Sequence, residues 1–385
     1  MSLNADIIVW AREKAGYKPA DPRILKDFPK LDDWERGNGR PTYPQLERLA
    51  DKFKVPVSVF YFPERPDFPD IEETFRTLGT AILDEIPPKI RLLLRKAQAL
   101  QIGLDELNFG RNPAAQVITK ELHPPISSSV DTIANDVRSF LGISLDDQLG
   151  WKDADIAFNE WRKALYISGV YVFKDAFGQE NSLYSGFSLY DYEFPVIYVN
   201  NSTARTRQIF TLFHELAHLL FNTSGIDTDN DDFIDTLQDD NHRIEVICNQ
   251  LAAKALVPDE FFNEYFEEVF GYRRIREDSR ELASDIAGEL NVSREMIYRK
   301  LLDRELISQA EYRDAANAWA EQRITRKGGG NRYYNWIAYL GREYITLAFQ
   351  RYYQNQITFE QLGDFLDIKP KNLNRLEDYL IRSNT

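Results

Sequence analysis

The chain of 385 residues contains 47 Lys and Arg residues and 61 Asp and Glu residues, and its net charge of −14 excludes a generally basic protein that coats nucleic acid. Its length exceeds one typical folding core, so we expect roughly two to four domains, and a hydrophobic content of 43% is sufficient to pack them. The single cysteine, Cys248, excludes an intramolecular disulfide, and the lack of a long apolar run or signal-peptide core predicts a cytoplasmic protein without a membrane segment.

The first 66 residues contain an amphipathic helical pattern from Tyr43 to Phe53. Four short motifs surround it, namely Trp10-Ala-Arg12, Trp34-Glu35-Arg36-Gly37, Arg40-Pro41-Thr42 and Phe60-Tyr61-Phe62-Pro63. Together these motifs resemble the Cro/CI-type (XRE) helix-turn-helix module. The resemblance implies a small helical domain over residues 1–66.

The segment that would contact DNA departs from the XRE pattern. Residues 17–33 contain three prolines and no turn glycine, which disfavours the second and third helices of that motif. Asp32 and Asp33 lie where a DNA-facing surface prefers cations, because phosphates repel carboxylates. Two interpretations stay open: direct DNA binding, and a scaffold retained for dimerisation or docking.

A helical linker is predicted over residues 67–123, and its main element is a long helical pattern at 88–108. Strand candidates follow at 169–173 and 195–199, because both segments are rich in β-branched and aromatic residues.

The most informative segment is His214-Glu215-Leu-Ala-His218, which lies within an apolar helical pattern. The spacing of four places both imidazoles on one helix face, where they can bind one zinc ion. Glu215 projects beside them, where a carboxylate takes a proton from metal-bound water. Burying ionisable side chains in a helix costs free energy unless these side chains bind a partner. The pattern therefore favours metal-assisted hydrolysis over the alternative, a buried helix whose histidines hydrogen-bond to the backbone.

A third ligand has to come from elsewhere in the chain. The metzincin pattern requires a histidine at position 224, which is Ser224. Glu245 lies instead in a second apolar helical pattern, from His242 to Pro258, and a His, His, Glu set of the gluzincin type leaves a fourth position open for water. Asn249, one turn later, is predicted to orient a ligand. His242 is either a candidate for stabilising the oxyanion or an exposed side chain.

Two further motifs flank the predicted ligands, namely Arg207-Gln208-Ile209-Phe210-Thr211 and Ala252-Ala253-Lys254-Ala255-Leu256-Val257-Pro258. With the histidines, they resemble the ImmA/IrrE family of bacterial metallopeptidases over roughly residues 130–305. The resemblance implies zinc bound by His214, His218 and Glu245, with Glu215 as general base. It also implies that the substrate is a repressor of the helix-turn-helix class.

The resemblance places the peptidase domain at residues 124–262. Residues 263–327 resemble the winged-helix-like segment that follows the peptidase in this family, and Ser293 is predicted to cap its second helix. Glycines 328–330 mark a break, and a helical tail rich in aromatic residues follows over 331–385.

The predicted fold class is α+β: a mostly helical, zincin-like peptidase domain with a small sheet, flanked by helical modules.

The predicted function is that of a zinc-dependent endopeptidase acting on a helix-turn-helix transcriptional repressor in a regulatory or stress response. Manganese or iron fit the same ligands, since geometry and availability decide as much as affinity. The alternative is a non-catalytic transcriptional regulator or antitoxin-like binding protein that retains the fold, although the intact Glu215 argues against it. The sequence leaves the oligomeric state open.

Overall fold

The chain separates into two units, Met1–Lys96 and Ala97–Thr385, which are described one at a time. The computed structural model describes residues 3–53, 55, 57–65, 86–178, 181, 183–228, 239–265, 271–321 and 330–382. Residues 67–85 of the predicted linker and glycines 328–329 of the predicted break lie outside the described residues.

Short helices surround a small apolar core in the first unit. They are α1 (Ala5–Lys14), α2 (Pro22–Leu25), α3 (Leu31–Glu35), α4 (Tyr43–Phe53) and a 3-10 helix at Val57–Tyr61. Leu49, Phe53 and Phe60 are fully buried in this core. The bounds of α4 agree with those of the amphipathic pattern, because the apolar face of that pattern is the face that packs.

The proline-containing segment of the first unit forms two short helices. Pro22 occupies the first position of α2, where it has no hydrogen bond to lose, and the Asp21 carboxylate accepts from the backbone N–H of Arg23 at 2.9 Å. Arg12 donates to Glu35 at 2.7 Å and is 3% exposed, so this arginine ties α1 to α3 inside the module. The XRE-type assignment and its contact with DNA stay predictions.

Helices also dominate the second unit. The helix α5 (Pro88–Leu107) contains the boundary between the units. The helices that follow are α6 (Ile118–Glu121), α7 (Val130–Leu141), α8 (Leu145–Leu149), α9 (Ala154–Ile167), α10 (Arg205–Leu220), α11 (Asp239–Leu256), α12 (Asp259–Tyr265), α13 (Gly271–Leu290), α14 (Arg294–Asp303), α15 (Gln309–Glu321), α16 (Arg332–Leu340), α17 (Arg342–Tyr353), α18 (Phe359–Leu366) and α19 (Leu373–Arg382).

One mixed sheet has the strand order β1-β3-β2-β4. Its strands are β1 (Tyr171–Asp175), β2 (Tyr184–Leu189), β3 (Val196–Asn200) and β4 (Ile226–Thr228). β1 is parallel to β3, whereas β2 is antiparallel to both β3 and β4. The predicted α+β class with mostly helical structure is therefore confirmed.

Helix α10 is the centre of the core of the second unit, and every residue from Thr211 to Leu220 is buried. Gly186 lets β2 approach this helix closely, since a Cβ at that position would lie 2.4 Å from Cγ2 of Thr211. Trp161 of α9 packs edge-on against Phe213, with ring centroids 4.8 Å apart. The sheet, α9 and α11 together fix the position of α10.

A buried arginine holds the end of α11. Arg138 of α7 donates to the backbone carbonyl of Ala255 at 2.8 Å and to Oε1 of Gln148 at 2.8 Å. A cation at this end of a helix is favourable because the last carbonyl groups point out of it.

The C-terminal helices pack against β1, at the opposite end of the strand order from β4. Arg162 of α9 donates to the carbonyl of Ala338 at 2.8 Å, and the rings of Phe173 and Tyr344 meet edge-on at 5.2 Å. No helix in the described part of the chain combines the length and the apolar run that a bilayer span requires.

Candidate metal centre

Two packed helices supply the predicted site residues. His214, Glu215 and His218 lie in the C-terminal half of α10, and Glu245 lies on the neighbouring α11. Their exposed fractions are 2%, 0%, 3% and 7%, respectively. Buried ionisable side chains are unfavourable unless they meet partners, and here the fold brings three of them together.

The ligand atoms of His214, His218 and Glu245 form a triangle, which we call the ligand triangle. The two Nε2 atoms of the histidines are 3.2 Å apart. Oε2 of Glu245 lies 3.4 Å from Nε2 of His214, and Oε1 lies 3.2 Å from Nε2 of His218. Tetrahedral ligands at zinc bond lengths of about 2.0–2.1 Å are about 3.4 Å from one another. The separations in the ligand triangle therefore fit a metal ion bound at such lengths, and three ligands leave one tetrahedral position open.

Asn249 lies where the sequence predicts an orienting residue. Its Oδ1 is 3.0 Å from Nδ1 of His214. Because an amide oxygen only accepts hydrogen bonds, this contact requires the ring proton on Nδ1. The lone pair of His214 is then on Nε2, which is the atom that belongs to the ligand triangle.

Burial and close contact change the pKa values of the side chains in the ligand triangle. Burial raises the pKa of Glu245, but His218 and His214 outweigh it and hold this pKa well below its ordinary value. Burial lowers the pKa of His218, but the hydrogen bond with the sulfur of Cys248 and the charge of Glu245 outweigh it and hold this pKa well above 6.5. Without a metal ion, a proton on His218 thus balances the ionised Glu245. A metal ion bound at the same place would replace that proton.

Glu215 and Cys248 adjoin the ligand triangle and are both fully buried. Burial raises the pKa of the Cys248 thiol, and the charges of Glu245 and Glu215 act in the same direction, whereas His218 opposes them. A neutral thiol, which is a poor ligand and a poor nucleophile, therefore lies beside the ligand triangle.

The sequence predicted a role for His242 and did not predict one for Thr223. His242 is half-buried on α11 and lies outside the ligand triangle, and its predicted role stays a prediction. The sequence reasoning missed Thr223, whose Oγ1 lies 3.3 Å from Nδ1 of His218. Asn222 is the residue that could have indicated this contact. Asparagine often takes the left-handed conformation just after a helix, and the chain then turns back toward the last turn of that helix.

Residues 167–302 match the model of the family Peptidase_M78, described as the IrrE N-terminal-like domain. The matched segment runs from the end of α9 into α14 and includes the whole ligand triangle and Glu215. It supports the ImmA/IrrE resemblance and a metallopeptidase-type domain in this part of the chain. No curated protein matches the chain.

Proposed function

We propose that the protein is a zinc-dependent endopeptidase. The observation that carries this proposal is the buried ligand triangle, whose three separations suit tetrahedral zinc, next to the carboxylate of Glu215. The family match over the same residues supports a peptidase rather than another zinc enzyme.

Each site residue has a defined task in this proposal. When bound, zinc supplies Lewis acidity to a water molecule and to the peptide carbonyl. His214, His218 and Glu245 would hold the ion, and Asn249 orients the ring of His214. The carboxylate of Glu215 removes a proton from the attacking water and delivers it to the leaving amine.

The proposed substrate is a DNA-binding repressor of the helix-turn-helix class in the cytoplasm. The support for it is the resemblance to the ImmA/IrrE family, to which the match at residues 167–302 adds. A single cysteine suits a reducing compartment.

Glu215→Gln tests the enzymatic part, because it removes the base and keeps the size of the side chain. We expect this variant to bind zinc like the wild type and to lose at least about 100-fold in peptide cleavage, the range of general acid–base catalysis. Zinc-loaded wild type, Glu215→Gln and His214→Ala are each incubated with a proteome-derived peptide library, and new amino termini are counted by mass spectrometry. Equal cleavage by wild type and Glu215→Gln contradicts the proposal. Zinc binding without cleavage by any of the three proteins favours the alternative, a non-catalytic regulator.

The substrate class requires a separate experiment. Cells that express the wild type or Glu215→Gln are compared for new amino termini in their cytosolic proteins. We expect termini specific to the wild type in helix-turn-helix repressors. Termini confined to unrelated proteins contradict the substrate class and leave the endopeptidase activity intact.

A further inference from the structure

The second histidine of the ligand triangle lies in the last turn of α10, so the end of this helix bears directly on the site. The helix ends at Leu220, and Asn222 has a φ of 56°. The N–H of Asn222 donates to the carbonyl of Leu219 at 3.1 Å, and the N–H of Thr223 donates to the carbonyl of His218 at 3.0 Å. This is the pair of bonds of a Schellman motif, in which the chain turns back along the helix. The motif returns Thr223 to the turn that carries His218.

The hydroxyl of Thr223 makes two contacts with the same histidine. It donates to the backbone carbonyl of His218 at 2.9 Å, and its oxygen lies 3.3 Å from Nδ1 of the ring. Since the single hydroxyl proton is used at the carbonyl, the oxygen is left as an acceptor toward the ring. Nδ1 therefore keeps its proton when the charged ring gives one up to become a metal ligand, and the lone pair is then on Nε2, which faces the ligand triangle.

The chain beyond Thr223 is fixed by the sheet. The N–H of Ser188 on β2 donates to the carbonyl of Gly225 at 3.0 Å, and the N–H of Gly225 donates to Oγ of Ser188 at 3.2 Å. Gly225 also passes directly over the ring, since a Cβ there would lie 2.5 Å from Cδ2 of His218. The hydroxyl of Thr223 therefore belongs to a segment that is anchored at both ends, by the helix cap and by β2.

We propose that Thr223 is a positioning residue for metal binding, whose hydroxyl orients the ring of His218 and keeps its Nε2 available to the ion. The inference rests on the proposed function, because it concerns the same metal centre. It assigns to His218 the counterpart of the contact that Asn249 makes with His214. Both imidazoles are then held at Nδ1 by a neutral oxygen.

The first experiment compares zinc affinity, measured by competition with a chromophoric chelator, across matched variants. Thr223→Val removes the hydroxyl at nearly constant volume and keeps the backbone bonds of the helix cap, whereas Thr223→Ser keeps the hydroxyl. Thr203→Val is the control, since the Thr203 hydroxyl also donates to a backbone carbonyl, that of Asn200 at 2.9 Å, on a half-buried residue. We expect Thr223→Val to lose about 10- to 100-fold in affinity, and Thr223→Ser and Thr203→Val to stay within about threefold of the wild type.

Three results separate the inference from the proposed function. Zinc binding by the wild type with unchanged affinity in Thr223→Val overturns the inference alone. Equal losses in Thr223→Val and Thr223→Ser also overturn it, because the rescue by the hydroxyl is then missing. A wild type that binds no zinc overturns the proposed function and the inference with it.

A second measurement uses only the wild type, so it does not depend on the folding of a variant. The chain has four histidines, and labelling them with ¹⁵N allows each ring nitrogen to be assigned in the zinc-loaded protein by its chemical shift. We expect His218 to carry its proton on Nδ1 and to bind zinc through Nε2, with His123 and His242 unaffected by zinc. Metal binding through Nδ1 of His218 overturns the inference.

Discussion

At the scale of single residues, small groups surround the three side chains of the candidate metal centre. Asn249 and Thr223 each place an oxygen near Nδ1 of one imidazole. Gly225 contributes by lacking a side chain, because it lies against the ring of His218. The candidate ligands are visible in the sequence as HExxH and a distant Glu245, whereas these neighbours become apparent only when the chain is folded.

Gly225→Ala is expected to weaken zinc binding at least about tenfold, because the new methyl group displaces the ring of His218 from the ligand triangle. Gly288→Ala is the matched control, since a Cβ at this position in α13 meets nothing within 4 Å. The control is expected to retain zinc affinity and to gain up to about 1 kcal/mol of stability from helix propensity. Chelator competition and urea denaturation measure the two effects, and equal zinc affinity in Gly225→Ala and wild type would contradict the described contact.

Zinc affinity is expected to fall as the pH falls. The pKa of His218 lies well above its ordinary value without metal, so this ring is protonated at neutral pH and binding of zinc must release the proton. Below this pKa, the logarithm of the association constant therefore rises by about one per pH unit. Competition titrations between pH 6 and pH 8, repeated in two buffers by calorimetry to count released protons, test the sign. An affinity independent of pH in this range would show that His218 is neutral without metal.

At the scale of elements, the local sequence patterns predicted the bounds of these helices more closely than those of the strands. The amphipathic segment 43–53 and the pattern at 88–108 agree with α4 and α5, and the predicted cap Ser293 accepts from the N–H of Met296 at the start of α14. The strand candidates are shifted by one or two residues from β3 and β1. The short strand β4 was not predicted, because three residues carry too little pattern and their pairing with β2 is set by tertiary contacts.

Strand β1 contains a buried lysine that is expected to destabilise the fold. Lys174 is 4% exposed, with its ammonium 4.5 Å from the ring centroid of Phe158, and burial together with Arg205 and Arg162 lowers its pKa to about 6. Between pH 6 and its unfolded pKa of 10.5, the unfolded chain binds a proton that the folded chain does not. The free energy of unfolding therefore rises with pH through this window, and the full penalty is present below pH 6.

Lys174→Met is expected to stabilise the protein by roughly 1 to 4 kcal/mol at pH 6 and by progressively less toward pH 10. Lys163→Met, at an exposed position on α9, is the control and is expected to change stability by less than about 0.5 kcal/mol. Urea denaturation at pH 6 and pH 9 measures both variants. A Lys174→Met variant that is less stable than wild type at pH 6 would indicate that the ammonium is well solvated in the folded state.

At the scale of the whole molecule, the candidate metal centre and the family match lie in the second unit. The match ends within α14, and α16, farther along the chain, is held by a long-range contact, that of Arg162 with Ala338. These two residues are 176 positions apart, and no local pattern encodes their contact. The HExxH motif, by contrast, is read directly because both histidines are fixed by one helix. For this reason the sequence indicates the residues of the candidate site more directly than the arrangement of the elements around them.

The most direct test is the metal content of the full chain, purified without chelator and compared with His214→Ala by inductively coupled plasma mass spectrometry. The ligand triangle predicts about one zinc ion per wild-type chain, lost in the variant. Folding of both proteins is checked by circular dichroism, so that a loss of metal is not a loss of structure. Absence of metal from both proteins, even after zinc is added, would contradict the metal centre and the proposed peptidase.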